Sequence, residues 1–215
     1  MARPSKTSPT RKTMAIVGDG ETEFFYFQDF KSVEKLSVTL KPDLPTKSGW
    51  AGVMLKAENL IKKGGYDKIF CIIDYDVVIA DNAVQNYKSV KQKCLNIAKK
   101  SGSEIVFIEI MPCIELWFYL HFNYTTKSLR NCNSIHTDLK EQYIPDYNKT
   151  QPYHQNKRMY SFLIDKLPIA IANAQRLGNE KSKTEHAANP HFPFSELYIV
   201  FHELLSEERK RELKF

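Results

Sequence analysis

The stretch Asp67-Lys68-Ile69-Phe70-Cys71-Ile72-Ile73-Asp74-Tyr75-Asp76 decides the reading of this chain. Its centre is an unbroken apolar run of strand length that ends directly in acid. A strand apolar on both sides is one buried on both faces, the situation of an inner strand in a parallel sheet. The spacing predicts a strand over 67–73 with Asp74 at its carboxyl end. Working outward, Thr13 to Gly18 (TMAIVG) and Glu104 to Ile110 (EIVFIEI) read the same way. The first of these also runs into acid, Gly18-Asp19-Gly20-Glu21-Thr22-Glu23, with the glycines supplying a tight turn.

Between the strands the apolar period changes to that of helices. Phe24, Phe27, Phe30 and Lys31 recur at helical spacing from Thr22 to about Leu36, and further helices are expected over 50–63, closed by Gly64-Gly65, and over 82–100, broken by Ser101-Gly102. A second strand is expected over 37–41, closed by Pro42 and Pro45. A helix over 113–122 is entered through Pro112. This alternation predicts the α/β class: a mainly parallel sheet flanked by helices.

Beyond Phe122 the pattern weakens. Residues 123–155 are polar and turn-rich with a short helix expected over 138–143, 156–177 is helical in pattern with Pro168 expected to break or kink it, and 195–213 reads as a final helix. The expected organisation is a flexible basic arm over 1–12, carrying Arg3, Lys6, Arg11 and Lys12; an α/β core over 13–122; and a loop and helical C-terminal elaboration over 123–215 packed on that core.

Composition bounds the function. The 215 residues are 42% hydrophobic and 26% charged, enough to bury one sizeable core. No apolar run approaches the roughly 20 residues of a membrane span, and the first residues lack a signal-peptide core, so no membrane association and a cytoplasmic location are expected. The net charge of +6 favours a polyanionic partner. Cys71, Cys94, Cys113 and Cys132 are widely spaced and are expected to be reduced and mostly buried. Cys113, His121, Cys132 and His136 lack zinc spacing. No Gly-x4-Gly-Lys-Ser/Thr signature marks a P-loop.

The candidate chemistry sits in the acids. Asp19, Asp74 and Asp76 fall where predicted parallel strands end, the edge at which open α/β sheets bind ligands. Hard oxygen donors without a Cys or His cluster suit magnesium or manganese; solvated turns or helix caps are the competing reading. Glu23 either stabilises a helix start or contacts metal or substrate, and Glu21 is as ambiguous. Glu115 lies inside an apolar run, where a carboxylate needs a basic group or a metal beside it. His121 is either a core histidine or a ligand. Tyr147-Asn148-Lys149, followed by Tyr153, His154, Lys157, Arg158 and Tyr160, reads as a phosphate-binding face with stacking rings or as a solvated charged surface.

Taken in order, Gly18-Asp19-Gly20-Glu21-Thr22-Glu23 with Tyr26-Phe27, Ile73-Asp74-Tyr75-Asp76, and Pro112-Cys113-Ile114-Glu115-Leu116-Trp117 through His121-Phe122 resemble RloB-like proteins, Toprim-related proteins of prokaryotic defence loci. Weaker similarity continues through Tyr147-Asn148-Lys149, the 172–177 helix and Asn189-Pro190. The resemblance implies a Toprim-like core in which Asp74 and Asp76 hold magnesium, or manganese, for phosphodiester chemistry. Asp19 stands where the Toprim pattern usually has glutamate. Being shorter by one carbon–carbon bond, roughly 1.5 Å, it would bind through water, shift the backbone or leave activity weakened, with Glu21 and Glu23 nearby to compensate. It further implies antiphage defence through nucleic-acid damage, that is, abortive infection, and an ATPase partner.

The expected function is a magnesium-dependent nuclease acting on RNA, transfer RNA included, or DNA. Asp19, Glu23, Glu115 and Lys149 are its catalytic candidates, Asp19, Asp74 and Asp76 its metal ligands, and Lys149, Lys157 and Arg158 its nucleic-acid contacts. The alternatives are a non-catalytic nucleic-acid-binding or ATPase-partner subunit with an impaired site, motivated by Asp19, and a receiver-like signalling domain, which the Glu115-Leu116-Trp117 segment fits poorly. A homo-oligomer is among the assemblies the sequence leaves open.

Overall fold

The computed structural model describes residues 12–183 and 188–215. The basic arm expected over 1–12 lies outside the described residues except for Lys12. Five strands form one sheet: β1 (Thr13–Val17), β2 (Thr39–Asp43), β3 (Lys68–Asp74), β4 (Glu104–Met111) and β5 (Phe194–Ser195). Their order is β2-β1-β3-β4-β5, parallel throughout except for β5, which runs antiparallel to β4. The predicted mainly parallel sheet is therefore the one observed.

Side-chain alternation divides the sheet between two cores, because successive strand residues face opposite sides. Met14, Ile16, Phe70, Ile72, Ile108 and Ile110 meet α1 (Glu21–Val33) and α5 (Ile114–Leu120) together with helices of the C-terminal region. Ala15, Val17, Ile69, Cys71, Ile73, Ile105 and Phe107 meet α2 (Trp50–Lys63) and α4 (Val84–Ser101) on the other face. The C-terminal region shares the first core: Phe201 stacks 5.2 Å from Trp117, and the Trp117 indole N–H donates to the Tyr26 hydroxyl at 2.8 Å. Each such buried ring contributes on the order of 1.5–3 kcal/mol.

Several local expectations are corrected. Between the expected strand ending at Asp74 and the helix expected over 82–100 lies a further short helix, α3 (Tyr75–Ala80), anchored by buried Val78. Strand β2 runs through Pro42 because it is an edge strand, where a missing N–H breaks no ladder. After α6 (Asn133–Asp138), the expected 156–177 helix is three: α7 (Gln151–Lys157), α8 (Met159–Leu163) and α9 (Leu167–Lys181). The first break falls at Arg158, whose φ is +50°. The second break is the one expected at Pro168: α8 ends at Leu163 and Pro168 occupies the first turn of α9, where its missing N–H has no intrahelical role. The 195–213 helix is also divided, into α10 (Tyr198–Leu204) and α11 (Glu207–Leu213), with the Ser206 side chain accepting from Arg209 N at the new start. Cys71 and Cys94 are buried free thiols, as expected, and the Cys113 and Cys132 sulfurs are brought against each other with their Cα atoms 6.1 Å apart.

Candidate active site

The two central strands set the site. The chain leaves β1 for the β2 side and returns to start β3 on the other, so the β1/β3 boundary is where strand order reverses, the position at which open α/β sheets bind ligands. Asp19 follows β1, and Asp74 closes β3. Asp76 enters from the first turn of α3, where its backbone N–H points to the Pro112 carbonyl at 3.4 Å, tying it to the end of β4.

Gly18 shapes the first loop. A Cβ added there would lie 2.2 Å from the Glu23 Cβ, so only glycine lets the start of α1 fold back over the strand end. Glu23, 3% exposed, accepts the Gly20 N–H at 3.0 Å. Burial raises its pKa to about 8, and the Glu115 and Asp19 charges push the same way. Asp19 accepts from the Gly49 N–H at the start of α2, which partly offsets the upward push of its burial.

Asp74 carries the heaviest load. Its pKa is driven well up, first by burial and then by repulsion from Glu23, Glu115, Asp76 and Asp19. Burial raises Asp76 to about 6, with Glu115 adding to the rise while the Val77 N–H and the Lys149 charge oppose it. Both residues are only half-buried overall, yet Oδ1 of each is sealed from solvent and meets no hydrogen-bond donor. Among the described residues these are the two carboxylate oxygens left in that condition.

Glu115 completes the cluster from α5. It is 2% exposed, and its Oε1 receives both the Lys149 ammonium at 2.6 Å and the Tyr147 hydroxyl at 3.0 Å. The basic partner expected for this acid is thus supplied by the loop before α7. That loop leads to His154, 3% exposed, whose Nε2 lies 3.1 Å from the Thr22 hydroxyl at the start of α1.

The six residues Asp19, Glu23, Asp74, Asp76, Glu115 and Lys149 come together at one sheet edge. Lys157 and Arg158 are used elsewhere: Lys157 pairs with Asp146 at 2.9 Å and covers the Phe162 ring, and Arg158 pairs with Asp29 at 2.9 Å. Glu21 is exposed. His121 is a core residue whose Nδ1–H donates to the Trp117 carbonyl at 2.9 Å; burial lowers its pKa to about 4. The Tyr147 and His154 contacts and the Gly49 N–H were not legible from spacing, because loops distant in sequence bring them in.

In kind, the donors at this edge are those a hard divalent cation takes: Asp74 and Asp76 each present a donor-less carboxylate oxygen beside further acids. The acids are not gathered as closely as a single ion would draw them. Among the described residues, the one set of three potential ligands whose atoms lie within 4.8 Å of one another is Cys113, Glu115 and Cys132.

The fold and this edge define an α/β protein with a cluster of acids at its topological switch point. The model of the family described as RloB-like protein matches residues 14–204, and the chain belongs to that family. No curated protein and no solved structure matches the chain.

Proposed function

We propose that this protein is a magnesium-dependent nuclease of the Toprim type, cleaving phosphodiester bonds in RNA or DNA. The observation that carries the reading is the pair of sealed, donor-less oxygens on Asp74 and Asp76 at the end of β3. Carboxylates in that state are costly unless a cation completes them. Asp74 and Asp76 would hold the ion, with Asp19 as a further ligand or as general acid/base. When bound, magnesium or manganese supplies charge neutralisation at the phosphate and a more acidic water.

The chain's own residues orient the substrate. The Lys149 side chain, 48% exposed, meets a phosphate oxygen from the rim while Glu115 beneath fixes its direction. Glu23 is held by the Gly20 N–H and keeps the β1 turn closed under Asp74. Lys157 and Arg158 serve as outer backbone contacts in exchange for their present acidic partners. Family membership supports a place in antiphage defence by abortive infection, with an ATPase partner and transfer RNA among the substrates.

A second reading is favoured by Asp19, whose shorter carboxylate is already engaged by the Gly49 N–H: a nucleic-acid-binding or partner-regulating subunit with an impaired site. The test compares wild type with Asp74→Ala/Asp76→Ala on DNA and RNA pools in magnesium and in manganese. Cleavage by wild type and its loss in the variant is the expected result. Equal cleavage by both overturns the metal-site assignment, and binding without cleavage by wild type, with its partner present, establishes the second reading.

A further inference from the structure

Two cysteines that the nuclease reading does not use stand against its buried acid. Cys113, 2% exposed, precedes α5 directly, and Cys132, half-buried, closes the loop before α6, 19 residues further on. Their sulfurs are in contact, and the Cα–Cα separation of 6.1 Å is within the span of a disulfide. Cys132 Sγ also lies 3.4 Å from Glu115 Oε2. We propose that Cys113 and Cys132 form an exchangeable thiol–disulfide pair, a modification site for small-molecule disulfides, whose state is read by Glu115. The consequence for catalysis rests on the nuclease reading; the exchange itself does not.

The readout follows from how the donors are shared. Lys149 and Tyr147 both act on Glu115 Oε1, and in the reduced pair the Cys132 thiol is the donor at Oε2. A thiol has a hydrogen to give and a disulfide has none. Oxidation therefore removes the donor from one oxygen of a buried carboxylate that faces Asp74 and Asp76. It also ties the start of α5 to the start of α6 covalently.

The exchange balances without a metal. The thiolate of Cys132, the more accessible sulfur, attacks a small disulfide RSSR; its S–S bond breaks, one RS⁻ leaves, and a Cys132–SR mixed disulfide forms. The thiolate of Cys113 then attacks Cys132 Sγ, forming the internal bond and releasing a second RS⁻. The two thiol protons end on the two released thiolates, so the protein loses two electrons and RSSR gains them.

The experiment equilibrates the full-length protein in anaerobic glutathione/glutathione disulfide mixtures, quenches with an alkylating agent and maps the products by mass spectrometry. Wild type should trade two alkylated thiols for a 113–132 cross-link over a defined range of ratios, and Cys113→Ser should trap the mixed disulfide on Cys132. The magnesium concentration giving half-maximal thermal stabilisation should differ between the two wild-type forms by about three- to tenfold, the effect of one hydrogen bond of ordinary net worth.

A cross-link absent at every ratio overturns the proposal, and wild type alone decides this if the serine variant fails to fold. Stoichiometric zinc that blocks both thiols in the purified protein overturns it as well, assigning the Cys113, Glu115 and Cys132 cluster to a thiophilic metal. Normal exchange in a protein that never cleaves nucleic acid sinks the nuclease reading and leaves the pair standing. Equal magnesium requirement and equal cleavage in both forms sink the readout through Glu115 and leave the nuclease reading standing.

Discussion

Asp29 and Glu34, near the far end of α1, and Asp74 and Asp76, at the carboxyl edge of the sheet, are four acids in one small protein under opposite conditions. Asp29 receives the Ser161 N–H at 2.7 Å, the Ser161 hydroxyl at 2.8 Å and the Arg158 guanidinium. Glu34 receives the Tyr160 hydroxyl at 2.7 Å and a two-pronged Arg209. These acids are finished, and they pin the C-terminal helices to α1. Asp74 and Asp76 are unfinished, each with an oxygen that no protein group serves. The difference separates acids whose oxygens the fold serves from acids that keep an oxygen it does not serve.

The sharpest way to break this comparison is Asp74→Ala/Asp76→Ala. Cleavage should fall by ~10³-fold or more, the several kcal/mol that a bound cation supplies to a phosphoryl transition state. Unfolding by denaturant in EDTA should show metal-free stability level or raised, because the lost carboxylates were uncompensated. A large loss of metal-free stability would place them with Asp29 and Glu34.

His121 sharpens it from another side, since its Nε2 also lacks a partner but lies in the core, away from the acids. Its folded pKa is depressed to about 4, so the unfolded chain takes up the proton first as pH falls. The stability this neutral ring contributes is complete above about 6.5 and is lost between about 6.5 and about 4, by on the order of 3 kcal/mol. Denaturant titrations across that window should flatten in His121→Gln without changing the metal response.

Glu34→Ala should cost about 1–3 kcal/mol, because the buried Tyr160 hydroxyl loses its acceptor, and leave magnesium binding untouched. Gly18→Ala should cost a similar amount, about 1–3 kcal/mol from the 2.2 Å overlap with Glu23, but also weaken cleavage by displacing the β1 turn. Thermal melts with and without magnesium separate the two. The smallest effect is expected from Lys149→Met: its side chain is 48% exposed and screened, so cleavage should drop about tenfold or less, with a shallower salt dependence of KM.

The apolar runs at Thr13 to Gly18, Asp67 to Ile73 and Glu104 to Ile110 disclosed the parallel sheet because both faces of an inner strand must be apolar. Acids placed directly at the ends of two such runs disclosed Asp19, Asp74 and Asp76, and an acid stranded in an apolar helix disclosed Glu115. The helical region after Phe122 was less legible. Its breaks at Arg158 and Ser206 depend on a left-handed residue and a side-chain cap, which leave little trace in hydrophobic period.

The sequence by itself thus determined the class of fold and the edge where the acids gather, since both follow from local pattern and strand-end position. Only the tertiary structure decided which neighbours those residues meet. Lys149 and Tyr147 reach Glu115 from more than thirty residues away, Gly49 caps Asp19 from the next helix, and Cys132 closes on Cys113 across a loop whose spacing announced nothing. Periodicity records what each residue needs from its surroundings, burial or water; the partner that meets the need is chosen by packing across the whole chain.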